Sequence, residues 1–401
     1  MQGAKSINSD LVDYDYLIAG GGPAGSSLAL RLNESGFKVI IIEKQKFPRE
    51  KLCGEFVTPE CLQYLEDLDV LDEIKKAGAV RIEETCFYSP KGRKLTIPSK
   101  WFGASPALGI SRSLLDQILL SKAKSGGIEV LENARLVGLA REDRKIKSAI
   151  VKFSTGEKIE IAARNFIDAT GRSRAVARYL ASKTCKKNTS AARWVAFKNH
   201  LSNTRCEANT CEIYFFNGGY AGLSHIENGM ANLCLIIDSK RLNPALGPVT
   251  AIRALMKENS RAKFTLGESA ACKEWIGSGV YSYGQPDTRL SAENVAFIGD
   301  AASFADPFTG SGLLFALETS DSLARFVREN KTTAIENFSI TTGEITKIRS
   351  RICCLLRHFA FDAKRAEAAI FIAGISKRLC RSLASATRKS GKSRYDKIYS
   401  R

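Results

Sequence analysis

Three glycines near the beginning of the chain constrain its fold more than any other feature. They form the pattern Gly20-x-Gly22-x-x-Gly25 and follow the apolar segment Tyr14–Ala19, which is typical of a short buried strand. The residues after Gly25 favour a helix, and the β-branched run Val39–Ile42 predicts a second strand. Strand, glycine-rich turn, helix and strand in this order are typical of a βαβ unit that binds a dinucleotide.

Each glycine of this unit has its own physical reason. Gly20 permits the tight turn, Gly22 lets the backbone approach a pyrophosphate, and Gly25 allows the helix to pack closely on the sheet. The N-terminus of the helix then presents free N–H groups and the positive end of its dipole to the phosphates. Glu43 ends the second strand, where a carboxylate accepts hydrogen bonds from ribose hydroxyls. The motif predicts an ADP-containing dinucleotide and leaves FAD and NAD open.

A second glycine-containing stretch, in the later part of the chain, favours FAD. An apolar strand is predicted at 294–298; it ends in Gly299-Asp300, and a helix is predicted at Gly312–Glu329. The Asp300 carboxylate is well placed to accept a hydrogen bond from a ribityl hydroxyl. The start of the helix, at 310–313, can stabilise negative charge on the pyrimidine edge of a reduced flavin. We therefore predict FAD as the cofactor.

Taken together, these stretches resemble the superfamily of FAD-dependent monooxygenases and geranylgeranyl reductases, which has the p-hydroxybenzoate-hydroxylase-like fold. The resemblance covers residues 12–330 and is carried by GGGPAG, Glu43, FPREKLCGE, ISRSLLDQIL, IDATG and GDAASFADPFTGSG. It implies that Arg112 contacts FAD and that the Cys53-Gly54 pair lies near the flavin. The predicted cofactor-binding residues are Gly20, Gly22, Pro23, Ala24, Gly25, Glu43, Arg49, Cys53, Gly54, Arg112, Asp168, Gly171, Asp300, Pro307, Gly310, Ser311, Gly312 and Leu313.

The resemblance also implies the domain organisation. The fold class is α/β, with a discontinuous Rossmann-like FAD-binding domain at 10–75, 106–180 and 285–330. A β-rich substrate domain is inserted at 76–105 and 181–284, and residues 331–401 form a basic C-terminal helical segment whose end frays. Further strands are predicted at 128–132, 150–153, 158–162, 165–167, 211–215 and 231–237. Further helices are predicted at 112–125, 249–258 and 363–383.

Two residues are candidates for the chemistry. Cys53 is expected at the junction of flavin and substrate, where it would tune reactivity; a small packing residue is the alternative. Tyr220 is expected either to face the substrate cavity as a hydrogen-bond donor or to be a core aromatic residue.

Other polar residues of these motifs carry weaker expectations. Arg49 and Lys51 are expected to bind the adenosine ribose and phosphate region or to steer an anionic substrate, unless they form a solvated basic turn. His225 is expected to be a structural histidine, and Asp306 to cap the turn before Pro307.

The predicted function is that of an FAD-dependent oxidoreductase, either a monooxygenase or a reductase or dehydrogenase. The expected substrate is a hydrophobic small molecule such as an isoprenoid, a quinone or a polyketide. The electron donor, whether NAD(P)H, flavin or protein, stays open because no second dinucleotide fingerprint is present. Electron transfer to a membrane quinone is one alternative. Halogenation is another, although the Trp-x-Trp-x-Ile-Pro motif of flavin-dependent halogenases is absent.

Composition excludes several other classes. The 401 residues are 44% hydrophobic and 25% charged, as in globular proteins. The 11 cysteines are scattered without a CxxC pair, and with 3 histidines they offer no zinc pattern, so reduced and mostly buried thiols are expected. No signal peptide and no apolar run near the roughly 18 residues of a membrane span are found. A cytoplasmic protein is therefore expected.

The net charge of +18 is concentrated near the end of the chain, where residues 341–401 carry more than half of the surplus. An amphipathic helix on anionic lipid is one interpretation of this segment, and peripheral membrane contact would follow from it. The preferred interpretation is a helical cap packed on the FAD-binding domain. No nucleic-acid recognition motif is present, so a nucleic-acid partner is not expected.

Overall fold

A computed structural model describes residues 13–180, 193–280, 292–303, 310–329, 334–335, 338, 359–376, 378 and 380–382 of the chain. In chain order the strands in these residues are β1 (Tyr14–Ala19), β2 (Val39–Ile42), β3 (Phe56–Val57), β4 (Val80–Ile82), β5 (Glu84–Tyr88), β6 (Lys94–Pro98), β7 (Ala107–Gly109), β8 (Glu129–Leu131), β9 (Ala134–Glu142), β10 (Lys145–Phe153), β11 (Lys158–Asp168), β12 (Trp194–Ser202), β13 (Thr210–Phe216), β14 (Gly219–His225), β15 (Ala231–Asp238), β16 (Ala270–Ala271), β17 (Ile276–Val280) and β18 (Val295–Phe297). The α-helices are α1 (Pro23–Glu34), α2 (Pro59–Glu66), α3 (Leu71–Lys76), α4 (Arg112–Ser125), α5 (Ala175–Leu180), α6 (Gly247–Met256), α7 (Ser260–Thr265), α8 (Gly312–Glu329) and α9 (Ala363–Ile375).

The first sheet contains the predicted βαβ unit and has the strand order β8-β2-β1-β11-β10-β9, with β18 paired to β11. Strands β8, β2, β1, β11 and β18 run parallel, and β10 and β9 continue the sheet antiparallel. The central strands β1 and β2 are nearly continuous apolar runs because helices α1, α4 and α8 cover one of their faces and residues of β9 and β10 cover the other. The carboxyl ends of β1, β2, β11 and β18 therefore lie along one edge.

The second sheet has eight strands in the order β16-β12-β15-β14-β13-β5-β6, with β17 paired to β12. One face packs on helices α6 and α7 through an apolar cluster that includes Tyr214, Leu233, Leu235 and Ile252. The opposite face carries alternate residues of β12, among them Ala196 and Lys198, and it turns toward the first sheet.

A small third sheet, β3-β7-β4, lies between the two large ones. Strand β7 leads into α4, whose N-cap residue Ser111 accepts a hydrogen bond from Leu114 N at 3.3 Å. The backbone N–H of Ser111 donates to the Glu227 carboxylate at 2.9 Å, which ties the start of α4 to the loop between β14 and β15.

The α/β fold class is confirmed, and helices α4 and α8 have the predicted bounds. Other predicted bounds were wrong in detail. The strand expected at 150–153 begins at Lys145 as β10, and the helix expected at 249–258 is α6, two residues earlier. The strands expected at 158–162 and 165–167 are one strand, β11, because Ala163 and Asn165 keep their register opposite β1. The helix expected at 363–383 is interrupted: α9 ends at Ile375, Ser376 is extended, and 378 and 380–382 are helical again. The domain boundaries remain a prediction.

Helix α9 does not cap the first sheet as expected. Its buried residues Ala366 and Ile370 pack against Phe215, Tyr220 and Ile236 of the second sheet. These two residues cover an apolar face of the second sheet. The sequence alone did not reveal that this face exists, so the helix was expected elsewhere. In the described residues, no helix is both long and apolar enough to cross a bilayer.

Candidate flavin site

The glycine turn after β1 has the geometry that a bound pyrophosphate requires. Gly20 has φ +108°, and a Cβ on it would lie 2.5 Å from the carbonyl oxygen of Ala169. A Cβ on Gly25 would overlap the carbonyl oxygen of Gly20. Both positions therefore exclude any side chain, and the backbone remains open for a ligand to approach.

The N-terminus of α1 is left uncapped by the protein. Gly22 is its N-cap residue, Pro23 occupies the first turn, and among the described residues no side chain caps the first N–H groups. Glu43 holds the turn from the side, since its two carboxylate oxygens accept from Gly21 N at 2.9 Å and from Gln45 N at 3.0 Å. Each oxygen keeps a further lone pair that a ribose hydroxyl can use.

Two guanidinium groups stand beside this turn and share one carboxylate. Arg112 makes a bidentate pair with Asp116, with Nε 2.6 Å and Nη2 2.7 Å from its oxygens. Arg49 Nη1 lies 3.4 Å from Asp116, and Arg49 Nη2 lies 3.6 Å from the position of a Cβ on Gly22. Arg49 Nε is buried and has no hydrogen-bond partner within the part of the chain that the structure describes. The surplus positive charge and the unpartnered N–H suit an anionic group such as a pyrophosphate.

The second glycine stretch converges on the first. A Cβ on Gly299 would lie 3.1 Å from Ala24 Cβ, and Ser320 of α8 donates from Oγ to the Ala24 carbonyl at 2.8 Å. Gly310 has φ +62°, Ser311 is buried, and Gly312 begins α8. The start of α1 therefore packs beside the middle of α8, and α8, which carries the half-buried Leu313 in its first turn, begins at the same edge of the sheet as α1. Pro307 and Asp306 lie outside the described residues.

Charged side chains from three loops meet at the carboxyl ends of β11 and β18, in a region here called the crevice. A Cβ on Gly171 would lie 3.6 Å from Lys51 Nζ and 3.9 Å from Asp300 Cβ. Burial raises the pKa of the Asp300 carboxyl, against the effect of the nearby Lys51 and Arg112. Burial lowers the pKa of Lys51, which Arg112 lowers further. A hydrogen-bonding ligand would relieve the desolvation of these groups.

Asp168 stabilises the loop that follows β11. Its carboxylate accepts from Thr170 N and Oγ1, at 3.0 and 2.6 Å, and from Val176 N at 2.9 Å. These bonds shape the loop that carries Gly171, so a direct contact between Asp168 and FAD remains a prediction.

Residues 50–55, here called the Cys53 turn, lie between the crevice and the second sheet. The Cys53 carbonyl accepts from Asn232 Nδ2 of β15 at 3.1 Å, and Cys53 Sγ accepts from Glu55 N at 3.4 Å. Burial opposes the charge of Arg112, but Asp116 and Cys53 together raise the pKa of its guanidinium. Cys53 is half-buried, and Gly54 is exposed, with no atom of the described residues within 4 Å of a Cβ placed on it.

Tyr220 lies in an apolar cluster on the crevice side of the second sheet. Its ring meets that of Phe361 at 5.7 Å in an edge-on arrangement, and Phe361 also meets Trp194 at 4.2 Å. Leu52 of the Cys53 turn packs on the same cluster, together with Ile236. The position agrees with the core-aromatic alternative for Tyr220, and a role in the cavity remains a prediction.

The two histidines of this region differ. His225 is half-buried and its Nε2 lies 3.3 Å from the Cys206 carbonyl, in agreement with a structural role. His200, which sequence reasoning missed, is buried with Lys198 beside Glu55 of the Cys53 turn. The signal that could have identified it is Lys-x-His within a strand, since alternate strand residues share one face.

A parallel sheet with an open glycine turn, two helix starts at one edge and a cationic crevice is typical of a protein that binds a dinucleotide such as FAD. The chain belongs to the FAD binding domain family, whose model matches residues 13–327. It is an FAD-dependent oxidoreductase.

Curated relatives include two kinds of enzyme. The digeranylgeranylglycerophospholipid reductase of Methanosarcina mazei is 29% identical over 311 residues, which cover 76% of this chain and 72% of the relative. The flavin-dependent halogenase armH1 of Armillaria mellea is 27% identical over 342 residues, which cover 76% of this chain and 62% of the relative.

Solved structures share the fold. The flavin-dependent brominase Bmp2 superposes with a TM-score of 0.77 at 18% identity and covers 93% of both chains. A geranylgeranyl bacteriochlorophyll reductase-like protein of Thermoplasma acidophilum gives 0.69 at 20% identity over 85% of both chains.

Proposed function

We propose that this enzyme reduces carbon–carbon double bonds in a hydrophobic substrate of the isoprenoid type. The observation that carries the proposal is the apolar surface formed by the half-buried side chains of Trp194, Phe361 and Leu52, which borders the buried cluster under α9 and reaches the Cys53 turn. Such a surface suits a hydrocarbon chain and offers few polar contacts to a charged substrate. The names of the archaeal relatives, which are reductases of geranylgeranyl lipids, support the same substrate class.

Different residues of the crevice would bind different parts of FAD. The glycine turn and the start of α1 would hold the pyrophosphate with Arg49, and Glu43 would hold the adenosine ribose. Asp300 would hold the ribityl chain, and the start of α8 would stabilise negative charge on the ring. Bound FAD supplies the hydride chemistry, so the protein's own contribution is orientation and the handling of a proton.

We assign the role of proton donor to Cys53. A double bond that accepts a hydride at one carbon needs a proton at the other, and the Cys53 thiol can donate it from Sγ. The negative charge left on the sulfur faces the guanidinium of Arg112, whose pKa Cys53 raises. Solvent then returns the proton, since the Cys53 turn is only partly buried.

The test is reoxidation of the photoreduced holoenzyme without oxygen. We expect an unsaturated polyprenyl lipid to reoxidise the flavin and to gain two hydrogen atoms, and its saturated analogue to do neither. Substitution C53A should slow this step about a hundredfold and leave FAD bound, since a lost general acid typically costs that much. The control C272A removes an exposed cysteine. A normal rate in C53A would remove Cys53 from the mechanism.

Halogenation is the second candidate, because the fungal relatives at 27% identity are named flavin-dependent halogenases. Its experiment is the aerobic reaction with a reductant and bromide. A brominated product would replace the reductase proposal, and a hydroxylated product would identify a monooxygenase.

We also propose peripheral membrane contact through α9, whose apolar residues Phe371, Ile372 and Ile375 are exposed. Exposed Lys364 and Arg365 on the same helix add positive charge that anionic lipid attracts. A lipid substrate would be taken up from such a surface.

A further inference from the structure

A buried group of charged side chains joins the second sheet to the Cys53 turn, and the proposed reaction does not use it. We call Glu50, Glu55, Lys198 and His200 the Glu55 cluster. The side chains of Lys198 and His200 are 1% exposed and that of Glu55 is fully buried. Charges this deeply buried are costly unless they are paired, so the cluster needs an explanation.

Lys198 is bound to the Cys53 turn from three sides. Its Nζ donates to Glu50 Oε2 at 2.9 Å, to the Lys51 carbonyl at 3.3 Å and to Glu55 Oε1. Burial alone would lower the pKa of Lys198, but the Glu55 and Glu50 carboxylates raise it above its ordinary value. The ammonium group therefore stays charged and fixes both ends of the turn.

His200 and Arg112 complete the coordination of Glu55. His200 Nε2 lies 2.7 Å from Glu55 Oε2, and Arg112 N donates to Glu55 Oε1 at 2.8 Å. Because a carboxylate can only accept, His200 Nε2 carries the proton. One carboxylate thus joins β12 of the second sheet to the first residue of α4, whose guanidinium leads through Asp116 to Arg49 beside the glycine turn.

The ligand atoms of Glu50, Glu55 and His200 lie within 4.8 Å of one another, a set that could hold a metal ion. Lys198 Nζ already donates to both carboxylates. The ammonium group of Lys198 therefore occupies the position that a metal cation would need, and it neutralises the carboxylates in place of a metal.

The backbone of the Cys53 turn shows why such support is needed. Glu55 has φ +54°, a left-handed conformation that a residue with a side chain rarely adopts unless its surroundings impose it. The cluster holds the side chain of Glu55, and Asn232, which lies opposite His200 in the sheet, holds the Cys53 carbonyl at 3.1 Å. Two strands of the second sheet therefore impose the conformation of Cys53.

We propose that Lys198, acting with Glu55 and His200, is a positioning residue that holds Cys53 in place at the flavin crevice. The inference rests on the proposed location of Cys53 at the junction of flavin and substrate. In this proposal the second sheet has two functions: it forms a wall of the substrate site, and it fixes the position of the Cys53 thiol.

The test is the alkylation rate of Cys53 in the full-length, FAD-loaded protein, followed by N-ethylmaleimide labelling and peptide mass mapping. We expect K198M to speed the labelling of Cys53 by about tenfold or more, because a buried carboxylate without its counter-charge favours local opening of the turn. The rate at the half-buried Cys206, which packs on the opposite face of the second sheet, should not change. The measurement involves no turnover, so it stands apart from the test of the reaction.

The chain offers a matched control in Lys273. Its Nζ also donates to Glu50, but its side chain is 48% exposed and it does not reach Glu55. K273M removes the same charge and should leave the labelling of Cys53 within about twofold of the wild type, since exposed ion pairs contribute little. Where K198M does not fold, E55Q removes the other half of the same pair and the same rise is expected.

Three results would overturn the inference. One is an unchanged Cys53 rate in a K198M protein whose melting temperature has fallen, which would show a purely structural role. Another is an equal rise at all cysteines, which would show general loosening. The third is faster Cys53 labelling of the wild type after treatment with EDTA, which would show that the cluster holds a metal ion.

Discussion

At the scale of single residues, Gly25 leaves the least room for change. A Cβ there would overlap the Gly20 carbonyl, which belongs to backbone and cannot move aside. We expect G25A to bind little FAD and to lower the free energy of unfolding by roughly 1–3 kcal/mol, as overpacked positions do. Flavin absorbance per protein and denaturant unfolding measure both effects.

The matched glycine for this substitution is Gly374 in α9. A Cβ there meets no atom of the described residues within 4 Å, so G374A should retain full FAD binding. It should also stabilise the helix by about 0.5–1 kcal/mol, the difference in helix propensity between the two residues. Equal flavin content in both variants would contradict the role of Gly25.

The stability of the Cys53 turn should depend on acid through Glu50. Burial would raise its pKa, but hydrogen bonds from Lys273 and Lys198 hold the pKa at about 2, below the ordinary 4.5. A carboxyl whose pKa is lowered by folding stabilises the protein above pH 4.5, and this contribution is lost as the pH falls toward 2. We expect the free energy of unfolding to fall less steeply over this window in E50Q than in the wild type.

The control for this titration is Glu34, an exposed carboxylate at the end of α1. E34Q should keep the wild-type slope, with unfolding followed by fluorescence at a series of pH values. Parallel slopes in E50Q and the wild type would show that the two lysines do not stabilise ionised Glu50.

At the scale of elements, the sequence predicted those helices and strands whose bounds depend on a few neighbouring residues. Helix α4 begins at a Ser111 N-cap, and the βαβ unit contains the Gly20-x-Gly22-x-x-Gly25 motif. The bounds of both therefore follow from short stretches of sequence. Strand β12 was not predicted because Lys198 and His200 interrupt its apolar pattern. Their partner Glu55 lies 143 and 145 residues away along the chain, a pairing that no local pattern shows.

The start of α7 depends on one buried side chain, that of Asn259. Its Nδ2 donates to the carbonyls of Tyr88, Ser89 and Phe215, each at 3.0 Å, and its Oδ1 caps the helix at Arg261 N and Ala262 N. N259A leaves these groups buried without partners and should cost about 2–4 kcal/mol in the free energy of unfolding.

The comparable residue for that variant is the exposed Asn243, which accepts only from Ala245 N at 3.0 Å. N243A should cost about 0.5–1 kcal/mol, the usual value of a solvated cap. Both variants should retain the flavin spectrum, because α7 lies on the face of the second sheet away from the crevice. A cost for N259A no larger than for N243A would contradict the interpretation.

At the scale of the whole molecule, the sequence predicted that two distant glycine stretches meet, and the structure brings Gly299 against Ala24. It did not predict which surface the C-terminal helix covers. The apolar residues of α9 divide between the second sheet and solvent, and only the fold decides which of them are covered.

The exposed part of α9 leads to the last prediction, which concerns membrane binding. Phe371, Ile372 and Ile375 are 53%, 54% and 71% exposed, and the chain carries a net charge of +18. Buried apolar area and attraction to anionic lipid add in such a helix, so the protein should sediment with vesicles that contain anionic lipid and much less with neutral vesicles.

A variant with serine at these three positions separates the apolar contribution from the charge. F371S, I372S and I375S together keep every basic residue and should release the protein from anionic vesicles, whereas the charge alone would retain it. F264S is the matched control, since Phe264 is 51% exposed on α7, which packs on the opposite face of the second sheet. Equal sedimentation of both variants with the wild type would assign the binding to charge alone, and α9 would then be a solvent-facing cap.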